Sequence, residues 1–318
     1  LFRSGGVNIA VAMATDVADG ARKWSAIRAS AGSVTATGLD GVSLSAPNLG
    51  IEINRPDSLG LVVDWAVTPL SISTDITIPK LNMSGLLGTL TRASGPLSID
   101  VGGFFQTSGD FSIERSQASA TLADAGRTSK SVDLLTIGGQ GVSAFAGLNG
   151  GTANAAGFAL SGVDFGLALA SDTVDATRKW SALSATASSA SFSGGSGLSL
   201  AGSNLEVRLN RADSGGLAGA SAATVIDFAA APLSVPLGGG ASRSIDFPGS
   251  RGALTEVSGR IDIDLGGFVT ASGDLAVRKS TGTVMPTGGV ATAVDLLTIG
   301  ASDLTAFAGL NGATANAV

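Results

Sequence analysis

Residues 132–138 read Val-Asp-Leu-Leu-Thr-Ile-Gly, and residues 294–300 read Val-Asp-Leu-Leu-Thr-Ile-Gly again. Working outward from this stretch, further blocks pair in the same order. Downstream, Ala144-Phe145-Ala146-Gly147-Leu148-Asn149-Gly150 returns unchanged at Ala306 to Gly312. Upstream, Val101-Gly102-Gly103-Phe104 returns as Leu265-Gly266-Gly267-Phe268, and Asn54-Arg55-Pro56-Asp57-Ser58 as Asn210-Arg211-Ala212-Asp213-Ser214. Near the start, Arg22-Lys23-Trp24-Ser25-Ala26 returns as Arg178-Lys179-Trp180-Ser181-Ala182. The offset is 156 at the first block, 164 in the middle and 162 at the last, so insertions and deletions fall between the blocks. The chain is therefore two units, 1–156 and 157–318. Self-similarity of this kind marks a repeat architecture. Both copies end in phase, so a further copy could follow; with Leu1-Phe2-Arg3-Ser4 at its start, the chain reads as a piece of a longer tandem array.

Each unit has the pattern of β-structure. Leu97-Ser98-Ile99-Asp100-Val101 and Ile261-Asp262-Ile263-Asp264-Leu265 alternate apolar and polar residues, the period-two signature of a strand with one buried face. Ser43 to Ile53 and Ser199 to Leu209 alternate similarly, with Leu44, Leu49, Ile51 and Ile53 on one side. Glycine-containing breaks at Gly38, Gly41, Gly102-Gly103, Gly109 and Gly138-Gly139 are read as turns between short strands. Asp16 to Arg28 is the one modest helical candidate. The fold class is all-β, and a small-Gly-x-x-Leu-x-Leu motif recurring at Gly38–Ala46, Ser161–Ala168 and Gly194–Gly202 favours a tandem β-solenoid. Tandem antiparallel β-sandwich domains are the alternative.

Composition narrows the chemistry. The chain has 318 residues, 44% hydrophobic and only 14% charged, with 46 glycines and neither cysteine nor histidine. Cysteine-free chains have no disulfides, thiolate nucleophiles or iron–sulfur sites. Without histidine there is no Ser-His-Asp triad and no imidazole metal ligand. A net charge of −6 with scattered basic residues argues against a nucleic-acid partner. The longest uncharged stretch, Leu134 to Val163, is long enough to span a bilayer, yet its many glycines, with Asn149 and Asn154, give it strand-and-turn composition. No transmembrane segment is expected.

Carboxylates remain as candidate chemistry: Asp64 with Asp227, Asp100 with Asp264, Asp110 with Asp274, Asp133 with Asp295. Their recurrence in both units is what a repeated turn or strand face produces, whereas catalysis needs one asymmetric site. The chain is read as a non-enzyme with no catalytic residues. Calcium is the cofactor to consider. Asp16 and Asp19, and their copies Asp172 and Asp175, place two carboxylates in one loop; Asn54 and Asp57, and their copies Asn210 and Asp213, offer oxygens at close spacing. Calcium takes six to eight oxygen ligands, so no motif suffices alone, and the bland reading of the same residues is Asx turns and caps. Trp24 and Trp180, each following Arg-Lys, are candidate glycan contacts by stacking, or else core anchors. Gly194-Gly195-Ser196-Gly197 and Gly238-Gly239-Gly240 lack the Lys-Ser/Thr of a phosphate loop and read as turns.

The blocks at Val294 to Val318 and Phe158 to Asp172, with Arg178-Lys179-Trp180-Ser181-Ala182-Leu183 and Asn210-Arg211-Ala212-Asp213-Ser214, resemble the long tandem repeats of giant bacterial exoproteins. These are large secreted or surface polypeptides, some of the LEPR-XLL-bearing kind, described as adhesin-like or calcium-binding. The resemblance covers essentially the whole chain. It implies an extracellular or cell-surface location and a structural or adhesive role: a rigid spacer, adhesin stalk or fibre-forming unit whose partners are neighbouring repeats. The alternative is a calcium- or glycan-binding adhesive module.

Overall fold

Residues 2–39, 41–72, 79–194, 197–213 and 224–309 are described by a computed structural model. Unit 1 supplies β1 (Phe2–Thr15), β2 (Lys23–Leu39), β3 (Val42–Arg55), β4 (Leu90–Val101), β5 (Phe105–Thr121) and β6 (Ser129–Leu148). Then come β7 (Ala156–Asp172), β8 (Lys179–Ser193), β9 (Leu198–Asp213), the short β10 (Leu233–Gly238) and β11 (Ala241–Ile245), β12 (Leu254–Leu265), β13 (Val269–Val284) and β14 (Thr292–Ala308). The protein is all-β, and among the described residues no helix is long and apolar enough to cross a membrane.

Twelve strands form one open sheet in the order β1-β2-β3-β4-β5-β6-β7-β8-β9-β12-β13-β14, and β10 and β11 form a separate hairpin. The paired strands are antiparallel, including β6 with β7, which carries the sheet from one unit into the next. The β-solenoid is not confirmed, since stacked coils lay parallel strands over one another, and one continuous sheet also differs from two separate sandwiches. The strands are also longer than expected, up to 20 residues in β6. The physical reason lies in the glycines. Gly41 and Gly102-Gly103 do lie at hairpin turns, but Gly109 and Gly138-Gly139 sit inside β5 and β6.

Several interior glycines lie on a line of bulges that crosses the sheet. Gly6, Asn48, Gly141, Gly162, Asn204 and Asp303 adopt φ of 62°, 55°, 58°, 57°, 50° and 51°. Register shifts at Ser45/Gly50, Gly139/Val142 and Ser272/Asp274 accompany them. A bulge residue in the left-handed region inserts one extra position and increases the local twist. Asn48 thereby keeps Leu44 on the side of Leu49, Ile51 and Ile53, which strict alternation would forbid. The helical candidate Asp16–Arg28 is instead a hairpin connection running into β2, because the Asp16 and Asp19 side chains close turns on Ala18 and Ala21 N–H at 2.9 and 3.0 Å.

One face of the sheet is covered by a chain excursion in each unit, between β3 and β4 and between β9 and β12. Under the β10–β11 hairpin the sheet presents small side chains, Ala168, Ala170, Ala182 and Ser184 among them, and Gly138, where a Cβ would fall 2.0 Å from the Pro236 carbonyl oxygen. The opposite face carries a cross-strand row that includes Ile9, Ile51, Ile113, Ile137, Leu167, Leu183 and Leu209.

Candidate functional site

The equivalent positions of the two units build two apolar cores under the excursions. In unit 2, Trp180 and Ala182 of β8, Ala168 and Ala170 of β7, and Ile226, Phe228, Val235, Ile245 and Phe247 pack together. Half of the floor of that core comes from unit 1: Ala120 and Leu122 at the end of β5, and Val132 and Leu134 of β6, all buried. The backbone joins too, with Ala123 N–H donating to Val225 O at 2.9 Å and Asp227 N–H to Thr121 O at 2.8 Å. Arg127 pairs with Asp227 at 2.9 Å. In unit 1 the corresponding core holds Ala10, Ala26, Trp65, Leu81, Met83 and Leu90, and among the described residues no strand lies on the far side of β1.

The candidate glycan contacts divide accordingly. Trp180 is 6% exposed and donates from Nε1 to Thr224 O at 2.9 Å, so it is a core anchor. Trp24 donates equivalently to Leu61 O at 2.9 Å but stays half-buried, and the Arg22 guanidinium lies 5.0 Å from its ring centroid, over a face on which a sugar would stack.

The calcium candidates are held by the protein's own donors. Asp57 is buried; its Oδ1 accepts from Leu59 and Leu61 N–H at 3.0 and 2.9 Å, and its Oδ2 from Arg22 Nε at 2.7 Å. Burial favours the neutral acid, but the hydrogen bonds from Leu61, Arg22 and Leu59 outweigh it and hold the carboxyl below its usual range. Arg22 also approaches Asp16 at 3.4 Å, so the two unit-1 motifs do meet, around a guanidinium. Asp19 closes its own turn, accepting from Ala21 N–H at 3.0 Å. Asp172 accepts from Val174 and Asp175 N–H at 2.9 and 3.4 Å and faces Lys130 Nζ at 3.3 Å. The Val174 bond chiefly lowers its pKa, against burial. Asp175 accepts from Thr177 Oγ1 at 2.6 Å, which lowers its pKa in turn. The Asp213 side chain lies outside the described residues. Among the described residues no three Asp or Glu side chains gather as a metal cage.

Asn54 and Asn210 are fully buried clamps. Asn54 Nδ2 donates to Val63 O and Asn210 Nδ2 to Ile226 O, both at 2.9 Å, tying each excursion to its sheet. Two of the recurring carboxylates cap turns: Asp100 and Asp264 accept from Gly103 and Gly267 N–H at 2.8 and 2.7 Å.

No family model, curated protein or solved structure matches the chain. Its internal comparison thus supplies the functional information, and it reveals a charge ladder the sequence reading missed. In unit 1, Arg28, Glu52, Arg92 and Glu114 stand directly opposite one another across β2 to β5, with contacts of 3.2, 2.9 and 2.7 Å. The equivalent positions of unit 2 are Ser184, Arg208, Glu256 and Arg278, so the last three signs are reversed. Arg278 and Glu256 pair at 2.8 Å. The missed signal was alignment of the units position by position: Glu52 against Arg208 looks like divergence until Arg92 against Glu256 is set beside it.

Proposed function

We propose that the chain is a structural repeat segment of a large extracellular bacterial surface protein or filament, serving as a rigid spacer or fibre-forming unit. The observation that carries this reading is the shared core: the last strands of unit 1 finish the hydrophobic interior of unit 2. A repeat joined in this way cannot swing on a flexible linker, because separation would expose Val132, Leu134 and Trp180 to water. Extended repeat proteins whose units contact only their neighbours are stiff in proportion to those interfaces, which suits a stalk. The resemblance to the repeats of giant exoproteins and the absence of cysteine and histidine support the same role. Electron microscopy of the native protein tests it. Rods or filaments with a regular axial repeat are expected; compact single particles would overturn the proposal.

A further inference from the structure

We propose that the uncovered face of the sheet is a lipid-docking surface, one that lies on a bilayer containing anionic lipid. The proposal goes beyond the stalk reading and does not rest on it. Both excursions pack on the face that carries the charge ladder, so among the described residues the face left bare is the apolar one. Along β4 the covered side presents Arg92, Ser94, Ser98 and Asp100, and the bare side Ala93, Leu97, Ile99 and Val101. β5 alternates likewise, with Glu114, Ser112 and Asp110 on one side and Ile113, Phe111 and Phe105 on the other. A one-sided sheet in water turns its apolar face to the core and its polar face to solvent. Here the bare face keeps Ile113 47%, Phe158 44% and Val257 45% exposed.

The apolar field is large and bounded. From Ile113 to Phe105 on β5, or Leu209 to Leu198 on β9, this face carries no charge, a run of roughly 26–36 Å along the strands. Across the interior strands β2 to β9, β12 and β13 the uncharged area is on the order of 1,000 Å², beyond the few hundred usual for a monomer's largest apolar patch. At one end of it stand exposed cations: Lys23, Arg55 and Arg115 in unit 1 and, at the equivalent positions, Lys179, Arg211 and Lys279 in unit 2. Among the described residues none of these is ion-paired, whereas Arg28, Arg92, Arg208 and Arg278 of the covered face all are. Two acids share this end of the bare face, Asp133 and Asp295, and Asp133 accepts from Gln117 Nε2 at 3.2 Å. Cations therefore dominate this margin in a chain whose net charge is −6. An apolar field with a basic margin matches an amphiphile that has acyl chains and a phosphate: the field meets hydrocarbon and the margin meets headgroups. A second copy would offer the same cations and no acidic row to meet them.

The test floats the full chain with vesicles of phosphatidylcholine, alone or mixed with phosphatidylglycerol. Partition is expected to be at least about tenfold stronger onto the anionic vesicles, and the double variant Arg115→Ser, Lys279→Ser to weaken it by about tenfold. The chain has no cysteine, so Ile113→Cys and Ser108→Cys, exposed on opposite faces of β5, each carry one polarity-sensitive fluorophore. On anionic vesicles the emission at 113 is expected to shift to the blue, while that at 108 keeps its value in water. Equal partition onto both vesicle types, no flotation, equal shifts at both sites, or no shift at 113 would overturn the proposal. So would a probe at 113 already shifted without lipid, since protein would then cover the face. The axial repeat of rods is a separate readout, so failure here leaves the stalk reading standing.

Discussion

In unit 1 the Trp65 indole donates to Asn54 Oδ1 at 3.2 Å; in unit 2 Phe228 occupies that place, and the buried Asn210 Oδ1 has no hydrogen-bond partner. The unit with the satisfied amide has the half-open core, and the unit with the orphaned amide has the complete one. Unit 2 also draws Val132 and Leu134 from its neighbour, and the area they bury offsets an unpaired oxygen. The charge ladder shows the same tolerance: signs reverse between the units, yet Glu256 still meets Arg278 across strands, while Arg208 turns to Glu206 on its own strand. What the two copies hold in common is complementarity with the surroundings, and individual residues change as long as that is kept.

The difference between the two cores has consequences for stability that substitution can measure. Trp180→Ala should cost about 3–5 kcal/mol, the usual range for a buried tryptophan, whereas Trp24→Ala, at a half-buried ring, should cost well under half of that. Equal losses in urea titrations would mean that the two cores are equally complete. Next, Glu52→Arg places three arginines in a row with Arg28 and Arg92 and should cost about 2 kcal/mol, discounted from a fully buried pair because the ladder is partly exposed. Installing the unit-2 pattern whole, Arg28→Ser, Glu52→Arg, Arg92→Glu and Glu114→Arg, should recover most of the loss. A quadruple variant no more stable than the single one would show that the sign reversal is not compensated.

Exchanging the aromatic partner of the clamps is a smaller change. Trp65→Phe leaves Asn54 Oδ1 without a donor and should lower stability by about 1 kcal/mol, while Phe228→Trp should raise it by a similar amount if the larger ring is accommodated. Thermal melts giving the opposite order would remove the indole bond as the reason for the difference. The broadest and shallowest effect is that of pH. Asp57 and Asp172 have folded-state pKa values below those of an unfolded aspartate, so their stabilisation is fully present above about pH 4 and is lost as pH falls through the folded values. Melting temperature should therefore decline below about pH 4, and Asp57→Asn should flatten that decline. An acid limb identical in the variant would exclude Asp57 as a contributor.

Much of the fold was legible in the chain. Alternation at Leu97–Val101 and Ile261–Leu265 placed two strands that fall inside β4 and β12, because a period of two is a property of a few consecutive residues. The bulge line was not legible: a glycine at a turn and a glycine at a bulge look alike, and both need a positive φ. For the candidate site, the repeat picked out Asn54, Asp57, Trp24 and their copies and left them between ion or sugar contacts on one side and turns, caps or core anchors on the other. Their roles as clamps, caps and anchors depend on the excursions, whose carbonyl and N–H groups approach from elsewhere in the chain.

By itself the sequence determined the two-unit repeat, the β class and the chemistry that a chain without cysteine or histidine lacks, since these follow from local pattern and composition. The tertiary structure alone shows that the units lie side by side in one antiparallel sheet and that unit 1 supplies part of the unit-2 core. Strand order and shared burial are contacts between residues far apart in the chain, and no local period records which strand becomes the neighbour of which.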